Sequence, residues 1–365
     1  MDSCEQADTK LTLSKTEVNE RFSNFVTNKN IMGKIKVAIN GFGRIGRVTF
    51  RAMINDPGIE IVAINDLTDT TTLAHLLKYD SIHGLFNGSI ETSGANLIVN
   101  GHKIAALSKR DPSALPWGEM GVNTVLESTG LFRNETGARG HITAGARKVI
   151  VSAPPGEGDI KSVVLGINDH ILDGSEQIIS NASCTTNCAA PMIKVLDDNW
   201  GVDHGFITTI HSYTGDQCLL DAPHKDLRRA RAAAQSMIPT TTGAAKAITK
   251  IFPHLEGHIG GCGIRVPVPD GSLTDITCTL KGDASNEAIN TAFREAAAGP
   301  LKEILEYTSD PIVSIDIVGN THSCIFDSQL TSVLGKVVKI VGWYDNETGY
   351  SNRLLDLINM VGQSD

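Results

Sequence analysis

The sequence predicts an α/β protein in which a doubly wound parallel sheet is followed by an α+β domain. Three observations carry this reading. Short β-branched runs alternate with helix-compatible stretches in the first half of the chain, the order that builds parallel strands joined by crossover helices. The first run enters its helix through a turn patterned by Gly41, Gly43 and Gly46. The third is size: 365 residues, 41% of them hydrophobic, are too many for one ordinary core, so two domains are expected.

Taken in order, residues 1–33 read as an extension. They lack the apolar stretch of a secretion signal, and Asp2, Glu5, Asp8, Glu17 and Glu20 do not suit an acid-poor transit peptide. Ser14 to Glu17 has the form of a capping box, and Val18, Phe22, Phe25 and Val26 then recur at helical spacing. A short helix is expected there. Its apolar stripe suits docking on its own protein, or equally on a partner or neighbouring subunit.

Lys34 to Asn40 is the first strand, followed by Gly41-Phe42-Gly43-Arg44-Ile45-Gly46 and a helix-compatible stretch from Val48 to Ile54. Ile59 to Asn65 forms the second strand and ends at Asp66. Each part has a mechanical task. Gly41 permits a tight turn, Gly43 lets the backbone approach a pyrophosphate, and Gly46 lets the helix pack closely on the strand. Amides at the helix start face the anion. Asp66, about 20 residues past Gly46, is placed to accept from the adenosine ribose hydroxyls. A lone glycine-rich turn would mean little; strand, turn, helix, strand and acid together indicate a Rossmann-type dinucleotide site. The acid would repel a 2′-phosphate, which favours NAD over NADP. Further strands are expected at Thr124 to Ser128 and Lys148 to Ser152, with helices over Thr71 to Tyr79 and Gly137 to Ala146. The dinucleotide domain is therefore placed at 34–182, with Ser128, Thr129 and Ser152 at strand ends where ligands of such sheets gather.

The second domain opens at residue 183. A strand is expected to end near Ser180, and Ala189 to Trp200 reads as a mostly apolar helix, with Cys184 where that helix begins. There the helix dipole and free amides favour thiolate over thiol, and the same amides can donate to an oxyanion. Two plainer readings stand beside this one. Cys184 and Cys188 are also acceptable as small core residues, and they form a zinc half-site for which the sequence offers no second half, so no metal is expected. His211 is the best-placed base, at the end of the strand Phe206 to Ile210; a histidine so placed is, taken alone, more often a hydrogen-bonded structural residue. His224, His254 and His258 lie in polar, turn-rich stretches.

The charge balance sets limits. Thirty-two Lys and Arg against 41 Asp and Glu give a net charge of −9, which disfavours non-specific binding to nucleic acid or anionic membranes. No apolar run approaches the roughly 18 residues of a membrane span. Seven scattered cysteines fit reduced thiols in a cytoplasmic enzyme better than a disulfide framework. Any anionic ligand then needs local cations, and Lys225, Arg228, Arg229 and Arg231 form one cluster that is otherwise a solvated face.

The segments NGFGRIGR, SNASCTTNC, IHSYTGDQ, DLRRARAAA, IPTTTGAAKA and WYDNETGYSNR resemble the glyceraldehyde-3-phosphate dehydrogenase family, in the family's order, from about Lys34 to Gly362. The resemblance implies NAD-dependent oxidative phosphorylation of glyceraldehyde 3-phosphate in glycolysis, through a thioester on a catalytic cysteine. It makes Cys184 the nucleophile and His211 the acid and base. It assigns cofactor contacts to Gly41, Phe42, Gly43, Arg44, Ile45, Asp66, Ser128, Thr129, Ser152 and Asn346, the last fixing the carboxamide. It assigns the substrate phosphate to Thr214 and Arg265, and the attacking phosphate to Ser183, Thr185, Thr242 and Gly243, with Arg229 beside both and pointing inward. A closing helix in 347–365 would return to the dinucleotide domain, leaving 183–346 as the catalytic domain. A homotetramer is implied as well.

Three positions depart from the family pattern. Thr348 stands where relatives usually carry tryptophan, which affects packing near Asn346. Pro269-Asp270-Gly271-Ser272 replaces the commoner proline-asparagine-valine-serine. Asp221-Ala222-Pro223 is intermediate between the NAD-type and NADP-type loops, so NAD with some use of NADP is expected. Two other readings share these residues: an erythrose-4-phosphate dehydrogenase, and a non-catalytic binding protein on the same scaffold. A pure scaffold has no need to keep Cys184, His211, Arg229 and Arg265 together.

Overall fold

Nine strands make the first sheet of the computed structural model, which describes residues 33–362. In chain order they are β1 (Ile35–Asn40), β2 (Ile59–Asn65), β3 (Ile90–Thr92), β4 (Asn96–Val99), β5 (His102–Leu107), β6 (Thr124–Glu127), β7 (Lys148–Val151), β8 (Lys161–Ser162) and β9 (Ile178–Ser180). Across the sheet they run β8-β9-β7-β6-β1-β2-β5-β4-β3. The pairing is parallel from β8 to β5, and β4 and β3 extend it antiparallel. Because β1 is followed on one side by β2 and on the other by β6, the strand order reverses there and opens a crevice beyond the carboxyl ends of β1 and β6. The extension's capping box and apolar stripe, Cys4, and residues 363–365 of the expected closing helix lie outside the described residues.

Helix α1 (Arg44–Met53) starts inside the glycine motif, earlier than Val48. Gly43 is its extended N-cap and has no side chain with which to cap, so the first amides stay available. Its buried Phe50 and Met53 pack with Ile35, Val37 and Ile39 of the sheet. Helix α2 (Thr70–Lys78) is capped by Asp69 accepting from the Thr72 amide. Helix α3 (Glu135–Thr143) is shifted towards the N-terminus of the expected range: Asn134 accepts from the Gly137 amide, and Gly145, at φ 99°, ends the segment.

The second half contains α4 (Cys184–Trp200), β10 (Val202–Ser212), β11 (Ile238–Thr240), α5 (Ala244–Ile251), β12 (Ile259–Val266), β13 (Ser272–Leu280), α6 (Asn286–Ala298), β14 (Leu305–Thr308), β15 (Cys324–Asp327), β16 (Ser332–Leu334) and β17 (Val337–Tyr344). The sheet runs β11-β12-β10-β13-β17-β15-β14, with β16 on β17. Its pairs are antiparallel except β10 with β12 and β14 with β15. Helices α4, α5 and α6 cover one face: Met192, Ile193, Leu196, Ile248, Ile289 and Phe293 meet Ile207, Ile276, Phe326 and Ile340 in one core. Phe293 stacks on Phe326 at 3.8 Å.

Helix α7 (Thr348–Gly362) returns to the first sheet. Tyr350, Leu354, Leu357, Ile358 and Val361 join Ile35, Val37, Phe50 and Met53 in a single cluster. Burying each of its leucines contributes about 1.5–3 kcal/mol, which holds the chain end on β1 and α1.

Candidate active site

At the crevice the three glycines do different work. A side chain at Gly41, at φ 92°, would meet the Thr129 backbone nitrogen at 2.6 Å, and one at Gly46 would lie 2.2 Å from the Gly41 carbonyl. These two close the protein on itself. A side chain at Gly43 would meet nothing within 4 Å, so this glycine faces open space beside the uncapped amides of α1. That is where an anionic pyrophosphate fits. Asp66 accepts from the Phe42 amide (2.9 Å) and the Thr68 amide (3.0 Å), holding the turn against the end of β2. Ser128 donates to the Gly41 carbonyl (2.6 Å). Thr129 gives both its amide (2.8 Å) and its hydroxyl to Glu127. Ser152 follows β7, and its amide donates to the Glu127 carbonyl (2.9 Å). Phe42 is buried edge-on against Phe50. Ile45 is partly buried. Arg44 directs its guanidinium away from the turn, to Asp80 (2.7 Å) and Glu347, and these carboxylates raise its pKa. Only its backbone is left to contact a cofactor there.

Cys184 is the first residue of α4, with Ser183 as N-cap accepting from the Thr186 amide (3.1 Å). Its Sγ lies 3.5 Å from His211 Nε2. His211 reaches it because β10 carries the ring to the same edge, paired with Arg265 of β12. His211 Nδ1 lies 2.7 Å from the Ser212 carbonyl, which assigns the ring proton to Nδ1 and turns the Nε2 lone pair towards the thiol. Arg265 donates to the same carbonyl (3.0 Å) and to Thr214 Oγ1 (2.9 Å).

Here the structure differs from the expected thiolate. Burial pushes the Cys184 thiol up to about 11, with Arg265 and the Thr185 amide opposing it less strongly. Burial, with Arg265 adding to it, pushes the His211 imidazole down to about 3. Both shifts favour the uncharged forms, thiol beside imidazole, with burial the leading cause of each.

The anion-binding candidates fall into three groups. Thr214, Arg229 and Arg265 converge: Arg229 and Thr214 both bind Asp216, and Arg265 donates to Thr214. Arg229 points inward, 18% exposed against 66% for Arg231. Ser183 and Thr185 sit beside the thiol, but the Thr185 hydroxyl meets the Tyr344 hydroxyl (2.9 Å) and Ser183 serves as a cap. Thr242 and Gly243 begin α5, where Thr242 accepts from the Ala244 amide (3.2 Å).

Sequence reasoning missed three groups. Asp216 occupies the donors of the Thr214–Arg229 cluster, and it lay in plain view within the IHSYTGDQ segment. Tyr344 bridges Thr185 and Thr209 (2.8 Å) and turns its ring edge to His211. Ser212 and Ser272 both donate to Asn346 Oδ1 at 2.7 Å, fixing its amide; no local pattern announces that pairing.

Family models described as "Glyceraldehyde 3-phosphate dehydrogenase, NAD binding domain" and "Glyceraldehyde 3-phosphate dehydrogenase, C-terminal domain" match residues 35–135 and 183–346. The chain is 58% identical over 337 residues to a glyceraldehyde-3-phosphate dehydrogenase of Mycobacterium avium, covering 90% of this chain and 99% of that protein. It is 52% identical over 331 residues to glyceraldehyde-3-phosphate dehydrogenase 1 of Bacillus subtilis, covering 90% and 98%.

Proposed function

From the premise that this chain belongs to the glyceraldehyde-3-phosphate dehydrogenase family, we propose a role for each residue of its site. The chain is an NAD-dependent oxidoreductase. Its reaction is the oxidative phosphorylation of glyceraldehyde 3-phosphate to 1,3-bisphosphoglycerate. The observation that supports these roles best is the contact between Cys184 Sγ and His211 Nε2, with Arg265 and Thr214 directly behind it.

Cys184 Sγ adds to the aldehyde carbon while its proton passes to His211 Nε2 and from there to the carbonyl oxygen, which becomes the hemithioacetal hydroxyl; amides at the start of α4 donate to that oxygen as charge develops on it. NAD, when bound, supplies the acceptor for the hydride that leaves the hemithioacetal carbon. His211 takes the hydroxyl proton as that carbon becomes a thioester on Cys184. A phosphate oxygen then attacks the thioester carbon, the C–S bond breaks, and the thiolate regains a proton from His211. Thr214, Arg229 and Arg265 hold the substrate phosphate, because guanidinium forks suit its oxygens. Arrival of that phosphate displaces Asp216 from Thr214 and Arg229. Ser183, Thr185, Thr242 and Gly243 receive the attacking phosphate.

Gly41, Phe42, Gly43, Arg44, Ile45 and Asp66 hold the adenosine and pyrophosphate portion of NAD. Ser128, Thr129 and Ser152 line the strand ends, and Asn346 orients the carboxamide. Residues 34–182 with the helix in 347–365 serve as the NAD-binding domain and 183–346 as the catalytic domain. A cytoplasmic homotetramer completes the reading. Among the described residues no helix is long and apolar enough to cross a membrane.

The test is the appearance of NADH absorbance on mixing protein, NAD and glyceraldehyde 3-phosphate, with and without phosphate or arsenate. Turnover that requires the oxyanion is expected. No NADH in either mixture overturns the reading, and faster, phosphate-independent turnover of erythrose 4-phosphate replaces it.

A further inference from the structure

We infer that His83, Asp270 and Asp345 form a binding site for one divalent cation beside Asn346. Their three ligand atoms lie within 4.8 Å of one another. His83 Nε2 and Asp270 Oδ2 are 3.8 Å apart, the separation of two donors that each sit about 2.1 Å from a shared ion. The three residues come from remote parts of the chain: the loop after α2, the turn before β13 and the end of β17.

An orphaned atom marks the site independently of the clustering. Asp270 is 2% exposed, and its Oδ2 meets no N–H or O–H donor; its carboxyl faces the Asp345 carboxyl instead. Its other oxygen takes the Gly271 amide (2.9 Å). A buried carboxylate oxygen without a donor is costly, and native structures rarely leave one unmatched. Asp345 is rigidly placed, accepting the amides of Glu347 (2.8 Å), Thr348 (2.7 Å) and Gly319 (2.7 Å). Of the roughly four acceptor positions on a carboxylate, one remains.

The charge around the cluster asks for a cation. Asp80, Asp270, Asp345 and Glu347 gather here; Arg44 is committed to Asp80 and Glu347, and Arg47 lies near the same two carboxylates. Among the described residues no Lys or Arg forms an ion pair with Asp270 or Asp345, and the imidazole 3.8 Å from Asp270 is that of His83. His83 Nε2 donates its N–H to Glu347 (2.9 Å); an incoming ion releases that proton to solvent and takes the freed Nε2 lone pair, and Glu347 keeps Arg44. A proton carried by Asp270 leaves to solvent. One imidazole with two carboxylates suits an ion of the manganese or zinc kind.

The experiment uses the full chain carrying Cys184→Ser, so that the thiol beside His211 offers no competing ligand. After chelation, Mn²⁺ is titrated and free ion is followed by electron paramagnetic resonance, for this parent and for parents with Asp270→Asn or His83→Gln. One saturable Mn²⁺ per chain is expected, with affinity at least tenfold weaker in both variants while their thermal midpoints and NAD binding match the parent. Absence of saturable binding below about 1 mM, or equal affinity in all three proteins, overturns the site. Both variants keep side-chain size, so failure of one to fold leaves the other to decide.

Discussion

Cys184 and His211 show how position and environment act on a reactive pair in opposite directions. The start of α4 favours charge on sulfur, whereas burial opposes it, and His211 is equally penalised for becoming cationic. The pair must therefore ionise together, each charge supplying what the other lacks. Replacing His211 with Asn removes the proton acceptor while keeping a polar side chain. Turnover is expected to fall by roughly 10²–10⁴, and alkylation of Cys184 by iodoacetamide at pH 7 to slow in parallel. Unchanged alkylation would mean that the thiol is activated without the imidazole. Asp66 acts through a simpler balance. Both its oxygens accept backbone amides, so in Asp66→Asn one of them would face an amide with an NH₂ group. NAD affinity is expected to weaken about tenfold, roughly 1.4 kcal/mol, and discrimination against NADP to shrink; titration with both cofactors measures each. These residues were legible in the sequence because strand ends and helix starts fix where a Cys, His or Asp falls. Tyr344, Ser212 and Ser272 were not, because their roles arise from contacts between sequence-distant strands that carry no local signature, and Asp216 was passed over within its own loop, where it binds Thr214 and Arg229.

At the scale of an element, the glycine turn separates two functions that sequence spacing merges. Gly46 is needed by the protein: a methyl group there would lie 2.2 Å from the Gly41 carbonyl, so α1 must move off β1. Gly43 is needed by the ligand: its α-carbon has φ −71° and open space before it. Gly46→Ala is expected to lower stability by about 1–3 kcal/mol, the usual cost of overpacking. Gly43→Ala is expected to leave the thermal midpoint near that of the parent while weakening NAD binding at least tenfold. Urea unfolding and NAD titration of the two variants decide this. Equal destabilisation by both would remove the distinction. Strands β1, β2, β6 and β7 were legible because both faces of a parallel sheet are covered and their runs are almost wholly apolar. Helix starts were less so. Arg44 begins α1 ahead of the stretch read from Val48 because a bare Gly43 precedes it, a contact that periodicity does not see, whereas Cys184 begins α4 where the sequence placed it, behind the capping Ser183.

For the whole molecule, the described residues close only one face of the second sheet. Helices α4, α5 and α6 cover the inner side, while Phe206 projects from the other side, 68% exposed, on the same strand as His211. The loop that carries Arg229 adds Leu219, Leu220 and Leu227, each more than 70% exposed, and Met237 follows it at 75%. Apolar side chains this exposed on a protein with a net charge of −9 are the kind of surface that the proposed homotetramer would cover. Copies of the same chain fit that surface, because symmetric homo-oligomers bury the same patch from each subunit. The parent is expected to have a light-scattering mass near four chains of 39.0 kDa. Phe206→Asp places a charge where the isolated fold tolerates it and an interface does not. It is expected to halve or quarter that mass while far-ultraviolet circular dichroism stays constant. The loop bearing Thr214, Asp216 and Arg229 would be tightened by contact with a neighbour, so the smaller species should also bind glyceraldehyde 3-phosphate more weakly. A parent that runs as a single chain, or a variant that keeps the parent's mass, would show that this face is open in solution and that the loop holds its arginine unaided.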